Sequence, residues 1–423
     1  MMENQQTPRD FWTLPNGLRV IGERLPYLRS VSIGVWLRVG SMMETPEENG
    51  LSHYLEHMVF KGTEKRTARQ LAEEMDAVGG QVNAFTGKDC TCLYAKVIDE
   101  NLNLAVDILS DMAIHATLDP KEFEKERGVI LEEINIDEDS PEDLVQDLLS
   151  EAQFGSQSLG MPILGPAEKV AAYTREDLFA FRARHYRPED TVVALCGNYD
   201  PAQVEELMNH YFGEWHNPGE RSVIPAAHVL DGQLRVKEKD TEQLHLCVGF
   251  PGVAFGGEGV CSQAALSNLL GGAMSSRLFQ RIREELGVAY TVYTYPNSYV
   301  GCGTFAVYVG VSPKNGRRTL KEIRRELDKL LEGGITEKEF LDSRQQLRSG
   351  YLLGLESPGG RMQAMGRRLL LLERAATQEE TIRSIESVTR ESIMEYARQA
   401  LSHPASLSAA GKTAGGYSLE DWA

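Results

Sequence analysis

A single shift of 217 positions lays the second half of this 423-residue chain over the first. It takes Asp119 to Thr336, Phe123 to Phe340, Arg127 to Arg344, and Ser140-Pro141 to Ser357-Pro358. A chain that repeats itself at this length is two copies of one domain, each long enough for its own core. The alternative is two unrelated domains of similar composition. In the first copy Val31, Ile33, Val35, Leu37 and Val39 alternate with Ser32, Gly34, Trp36 and Arg38; in the second, Leu244, Leu246, Val248 and Phe250 do the same. This period of two marks strands with one face on a core. Capped helices stand between such strands, opened by Thr67, by Asp119-Pro120-Lys121-Glu122 and by Thr336-Glu337-Lys338-Glu339. The fold class is therefore α+β: two homologous halves, each a mainly antiparallel or mixed sheet with helices on one side. The stretch from His216 to Gln233 has turn residues and no periodicity. It places a linker at 218–235, between an N-terminal domain at 8–217 and a C-terminal domain at 236–423.

The segment Gly50-Leu51-Ser52-His53-Tyr54-Leu55-Glu56-His57-Met58-Val59-Phe60 contains His-x-x-Glu-His, the reverse of the His-Glu-x-x-His order of zinc proteases. On a helix, His53 and His57 are four apart and share a face, close enough to hold one ion. Glu56 lies on the same side and reaches water at that ion without taking a coordination position. Leu51, Leu55, Met58, Val59 and Phe60 give the segment the composition of a buried helix, where three ionisable groups are costly unless a metal or partners compensate them. The plainer reading is a helix that carries two histidines, one capped by Glu56.

A hydrolytic zinc site uses three protein ligands. Glu126 and Glu133 are two helical turns apart and share an inward face with Ile130, whereas Glu132 points about 100° away. Glu133 is the preferred ligand and Glu126 the acid that orients a histidine. Pairing of these acids with Lys125 or Arg127 is the alternative. The repeat supplies a control: the same shift takes His53, Glu56, His57 and Glu133 to Leu270, Ala273, Met274 and Gly350. Only the first half carries the site.

The net charge of −18 argues against nucleic acid or an anionic membrane as partner and favours neutral or basic ligands. No apolar run approaches the roughly 20 residues of a membrane span. Met1 to Asp10 show neither an apolar nor an Arg-rich leader, so the expectation is a soluble, cytoplasmic protein. The six cysteines (Cys90, Cys92, Cys196, Cys247, Cys261 and Cys302) read as reduced thiols, with no second pair at zinc-ribbon spacing. Leu269-Leu270-Gly271-Gly272 lacks the Lys-Ser/Thr of a phosphate loop.

These residues resemble the inverted-zincin metallopeptidases of the insulinase and pitrilysin type, most closely the short bacterial and mitochondrial-processing-peptidase branch. The likeness rests on His53 to Thr63 with a Glu 76 residues after the second His, on Gly80 to Thr86, on Arg127 to Ile134 and on Arg283 to Tyr290. It runs from Leu14 to about residue 410. It implies that His53, His57 and Glu133 hold one Zn2+ per chain, that Glu56 is the general base and that Glu126 supports the ligands. It further implies that Asn83 and Ala84 lie on an edge strand that takes substrate backbone, and that Arg283 and Tyr290 meet the substrate carbonyl. The two halves would form a clamshell-like chamber on dimerisation.

Taken alone, Asn83-Ala84-Phe85-Thr86 fits either a peptide-binding edge or a plain core hairpin. Arg283 and Tyr290 equally fit a surface Arg and a packed strand Tyr. The expected activity is a zinc endopeptidase acting on short or unfolded peptides, with a preference for basic ones, as a homodimer. A catalytically silent scaffold subunit and a metal-storing or regulatory protein are the competing classes. A scaffold would usually lose the ligand set, and a storage protein would need neither the Arg283/Tyr290 pair nor a peptide-binding edge.

Overall fold

Two mixed sheets carry the fold. The computed structural model describes residues 9–217 and 223–422. The leader reading at residues 1–8, which include the expected domain start, the linker positions 218–222 and the expected domain end at 423 lie outside the described residues. In chain order the strands are β1 (Arg9–Thr13), β2 (Arg19–Arg24), β3 (Ser30–Leu37), β4 (Gln81–Thr86), β5 (Thr91–Ile98), β6 (Thr191–Gly197), β7 (Leu234–Glu238), β8 (Leu244–Gly252), β9 (Ala289–Tyr299), β10 (Cys302–Val311) and β11 (Ser406–Gly411). The first sheet runs β1-β2-β6-β3-β5-β4 and the second β7-β11-β8-β10-β9. Within them only β2–β6 and β7–β11 are parallel. All other neighbours are antiparallel, so both sheets are mainly antiparallel.

The helices are α1 (Leu51–Val59), α2 (Ala68–Ala77), α3 (Leu102–His115), α4 (Pro120–Asp139), α5 (Pro141–Phe154), α6 (Ala167–Ala172), α7 (Arg175–His185), α8 (Pro201–Phe212), α9 (Val260–Gly271), α10 (Gly316–Gly333), α11 (Glu337–Gly354), α12 (Pro358–Leu372), α13 (Gln378–Glu386) and α14 (Arg390–Leu401). Thr67 caps α2 with a reciprocal Gln70 bond, and Asp119 accepts the Lys121 and Glu122 amides at the start of α4.

The compact units are not the continuous halves expected at 8–217 and 236–423. One comprises the residues up to Ile134, Pro162–Ile224 and Leu352–Ala376; the other comprises Asn135–Met161, Pro225–Tyr351 and from Thr377 on. The difference lies in two helices that the repeat makes equivalent, α5 after Ser140 and α12 after Ser357. Each packs with the sheet of the other half: α5 against β8 and β11, α12 against β2, β3 and β6.

This exchange corrects the expectation of one buried face per sheet. β3 is buried on both faces from Val31 to Leu37. α3 lies against β3 and β5, while α12 covers the face of Ser32, Gly34 and Trp36. The approach of α12 is close: a Cβ on Gly34 would come 2.7 Å from Met362 Sδ, and one on Gly366 would come 2.2 Å from Trp36 Nε1. Arg361 pairs with buried Glu23, and Arg367 donates to Asp89 at 2.9 Å, which fixes α12 in register. In the second unit the core of Leu244, Leu246, Val248, Phe250, Phe305, Val307 and Val309 fills one side of the sheet. Val145 and Leu149 of α5 close the other, over Cys247, Ala306, Tyr308 and Ala410.

Asp137, in the last turn of α4, sits among acids. Burial, then Asp147, Asp143 and Glu138, raises its carboxyl from 3.8 to about 6. The folded protein therefore keeps a proton that the unfolded chain has released, and between those two values stability falls as pH rises. Above them the ionised carboxylate opposes folding. Asp137→Asn is expected to raise Tm at pH 7.5 and to flatten the pH dependence of Tm in that window, read by calorimetry. A lower Tm at pH 7.5 with an unchanged slope would contradict this.

Candidate metal centre

Helix α1 is nine residues long and buries Leu51, Tyr54, Leu55, Met58 and Val59. That leaves His53, Glu56 and His57 on one side. Tyr54, fully buried, stacks on Phe123 of α4 at 4.8 Å and 7° and donates from Oη to the Phe123 carbonyl at 2.7 Å. This brace sets α4 against α1. Of the expected inward stripe of α4, Glu126 and Ile130 are buried, whereas Glu133 is half-buried with its side chain 40% exposed; Glu132 is exposed.

His53, His57 and Glu133 come together, each offering one atom within 4.8 Å of the others. Glu133 Oε2 lies 3.3 Å from His57 Nε2 and 3.7 Å from His53 Nε2. Glu126 accepts from His57 Nδ1 at 3.0 Å, and Lys61 Nζ holds the other oxygen of Glu126 at 2.8 Å. Since a carboxylate only accepts, Nδ1 of His57 carries the proton. His57 Nε2 faces the Glu133 oxygen. Burial first, then the His57 charge, pushes His53 down to about 3, which keeps its ring neutral. Two ring nitrogens and a carboxylate oxygen thus converge on one point, a donor set that suits a cation. Donors about 2.0–2.1 Å from a tetrahedral zinc stand about 3.4 Å apart, so the separations present fit such an ion. Two imidazoles and one carboxylate also suit other divalent metals.

Glu56 lies beside this group. Burial raises its carboxyl, and so does the charge of Glu133; Thr86 and His57 oppose the rise. The last residue of β4 thereby neighbours the acid on α1. Among the described residues β4 pairs with β5 alone and is an edge of its sheet. The bond from the Gly87 amide to the Cys90 carbonyl fixes the ladder phase, which turns the Ala84 amide to the free side. That amide donates to Asn83 Oδ1 at 2.8 Å.

Arg283 and Tyr290 belong to the second unit, where they meet each other. The Arg283 guanidinium lies 4.5 Å over the Tyr290 ring and 4.7 Å over Phe279. Arg283 sits in a π-helical turn, Phe279–Glu285, and Gly287 follows at φ +59°. Tyr290 is 75% exposed.

Residues 19–167 match the model of the insulinase family, peptidase family M16, and residues 172–347 match that of the peptidase M16 inactive domain. A protein named as an uncharacterized zinc protease in Bacillus subtilis is 42% identical over 388 residues, covering 92% of this chain and 94% of that one. The chain belongs to the insulinase family, peptidase family M16. Another M16 relative, an uncharacterized zinc protease of Streptomyces coelicolor, is 40% identical over 406 residues (94% of this chain, 88% of that one). The M16 fold recurs in a protease from Helicobacter pylori with a TM-score of 0.90 and 22% identity, covering 96% and 100% of the two chains. A Pseudomonas fluorescens protein described as a peptidase M16 inactive domain gives a TM-score of 0.89 at 18% identity, covering 96% and 98%. The inactive-domain match falls largely on the half with Leu270, Ala273, Met274 and Gly350 at the repeat positions of the metal group.

Two residues of this M16 site escape sequence reasoning. Lys61 stands four after His57, which places it on the same side, within reach of Glu126. Glu44 lies in the loop before α1 and bonds to its first turn. Glu126→Gln is expected to weaken metal binding by about 10–100-fold, because the bond that aims His57 loses its charge. Titration against a competing chelator reads this, and unchanged affinity would contradict it.

Proposed function

We propose that this chain is a zinc-dependent endopeptidase that hydrolyses short or unfolded peptides, with one Zn2+ per chain. The observation that carries the reading is the convergence of His53, His57 and Glu133 with Glu56 beside them. Relatives named as zinc proteases support it. The ion, when bound, supplies a Lewis acid for the scissile carbonyl and acidifies water. Glu56 then takes the proton of the attacking water and returns it to the leaving amine. Glu126 fixes the His57 ring, and Lys61 anchors the other oxygen of Glu126. The free edge of β4, at Asn83 and Ala84, pairs with substrate backbone, which gives affinity with little demand on sequence. Arg283 and Tyr290 serve the substrate carbonyl and its developing oxyanion.

The test is metal analysis of the purified protein beside cleavage of a mixed peptide library, with and without chelator. One zinc per chain and cleavage that a chelator abolishes and zinc restores are expected. Full metal without cleavage, or cleavage indifferent to chelator, would overturn the reading. With a net charge of −18, basic peptides are the preferred substrates at low salt, and a panel without that preference would count against it. The cytoplasm is the proposed location, in keeping with six free cysteines. The protein is proposed to act as a homodimer that encloses its substrate. Mass measurement at micromolar concentration is expected to give the dimer, and monomer alone would refute it.

A further inference from the structure

Helix α1 starts without a capping side chain of its own. Gly50 holds the N-cap position at φ +103°, and a Cβ there would come 2.7 Å from the Leu164 carbonyl oxygen, so no serine or threonine fits. Elsewhere the chain caps helices with Thr67, Thr174, Thr377 and Thr389. Here the acceptor is Glu44, six residues earlier. One of its oxygens takes the Ser52 amide at 2.7 Å, and the other takes the Gly50 amide at 2.8 Å and Asn49 Nδ2 at 3.0 Å. Glu44 is 3% exposed, and its hydrogen-bond partners among the described residues are Asn49, Gly50 and Ser52. Burial raises its carboxyl, and the Asn49, Gly50 and Ser52 donors oppose the rise.

A second observation says what this arrangement does. His57 is aimed by Glu126 through Nδ1, whereas Nδ1 of His53 is buried with no hydrogen-bond partner among the described residues. The placement of His53 therefore comes from the backbone of the first turn, which Glu44 grips at the residue before it.

We propose that Glu44 is the positioning residue for His53: by binding the Gly50 and Ser52 amides it sets the metal helix where no side-chain partner does. This rests on the reading that His53, His57 and Glu133 hold a metal. The test uses the full chain and Glu44→Gln, which keeps the shape but loses the charge and turns an amide NH2 towards a backbone N–H. Zinc affinity by chelator competition and the visible spectrum of the Co2+-loaded protein are read beside Tm. Zinc binding about 10–100-fold weaker, with altered Co2+ bands, is expected. The same change should cost nothing further in a His53→Ala background and its full factor in His57→Ala. A lower Tm with unchanged zinc affinity and Co2+ bands, or equal losses in both backgrounds, would overturn it. If Glu44→Gln does not fold, Glu44→Asp, too short to reach both amides, should weaken zinc in the same direction; unchanged affinity would overturn the proposal. Wild-type protein that binds neither ion would remove the metal reading itself, and Glu44 would lose this role with it.

Discussion

Glu56→Gln should keep its metal and lose at least about a hundredfold in kcat. Gln fills the same space and offers a similar oxygen, but it cannot accept the proton of the attacking water. The metal donors are other residues, so zinc content should stay at the wild-type level. Stability should not fall either. Without the ion, burial and the Glu133 charge raise the Glu56 carboxyl, so its ionised form opposes folding of the metal-free protein. Removing that charge leaves the Tm of the metal-free protein equal or higher. The combination of full metal, undiminished Tm and lost turnover distinguishes a missing base from a damaged fold. Near-wild-type kcat in a fully zinc-loaded sample would remove Glu56 from the role of base.

The second large effect concerns packing. Replacing a helix-interior glycine normally stabilises a protein by up to about 1 kcal/mol. Gly366→Leu should do the reverse, because any Cβ at 366 meets the Trp36 indole at 2.2 Å and Trp36 is itself fully buried. Overpacking of this kind costs about 3 kcal/mol. For a unit of this size that is a fall in Tm of about 6–12 °C. Gly350→Ala is the control: it is also inside a helix, but a Cβ there meets nothing within 4 Å, so Tm should rise slightly. Equal Tm for wild type and Gly366→Leu would show that α12 can move away from β3 without loss.

Much of this was legible in the residues. Two histidines four apart and an acid on an inward stripe have a fixed helical geometry, so spacing favoured His53, His57 and Glu133 as a group. It left open that the acids pair with Lys125 or Arg127, and the family resemblance made the choice. Spacing also marked β3 and β8 as core strands. What spacing could not show was which helix covers their second faces. Alternation of Val31, Ile33 and Val35 with Ser32, Gly34 and Trp36 looks like one wet face, since nothing local announces a helix more than 300 residues on. In hindsight the signal was a glycine and a tryptophan on the face read as wet, facing Gly366 of a helix whose own repeat partner is α5. Glu44 and Lys61 were missed because each acts through a bond to backbone or to another acid, and a lone charged residue beside a motif reads as solvated surface.

The traded helices α5 and α12 bear on how such a chain arose. A forerunner of half this length, ending after its Ser-Pro helix and closing strand, could have covered its sheet only by lending that helix to a twin and borrowing one back. With both copies in one chain the exchange is internal, and only the first copy carries the His53, His57 and Glu133 group.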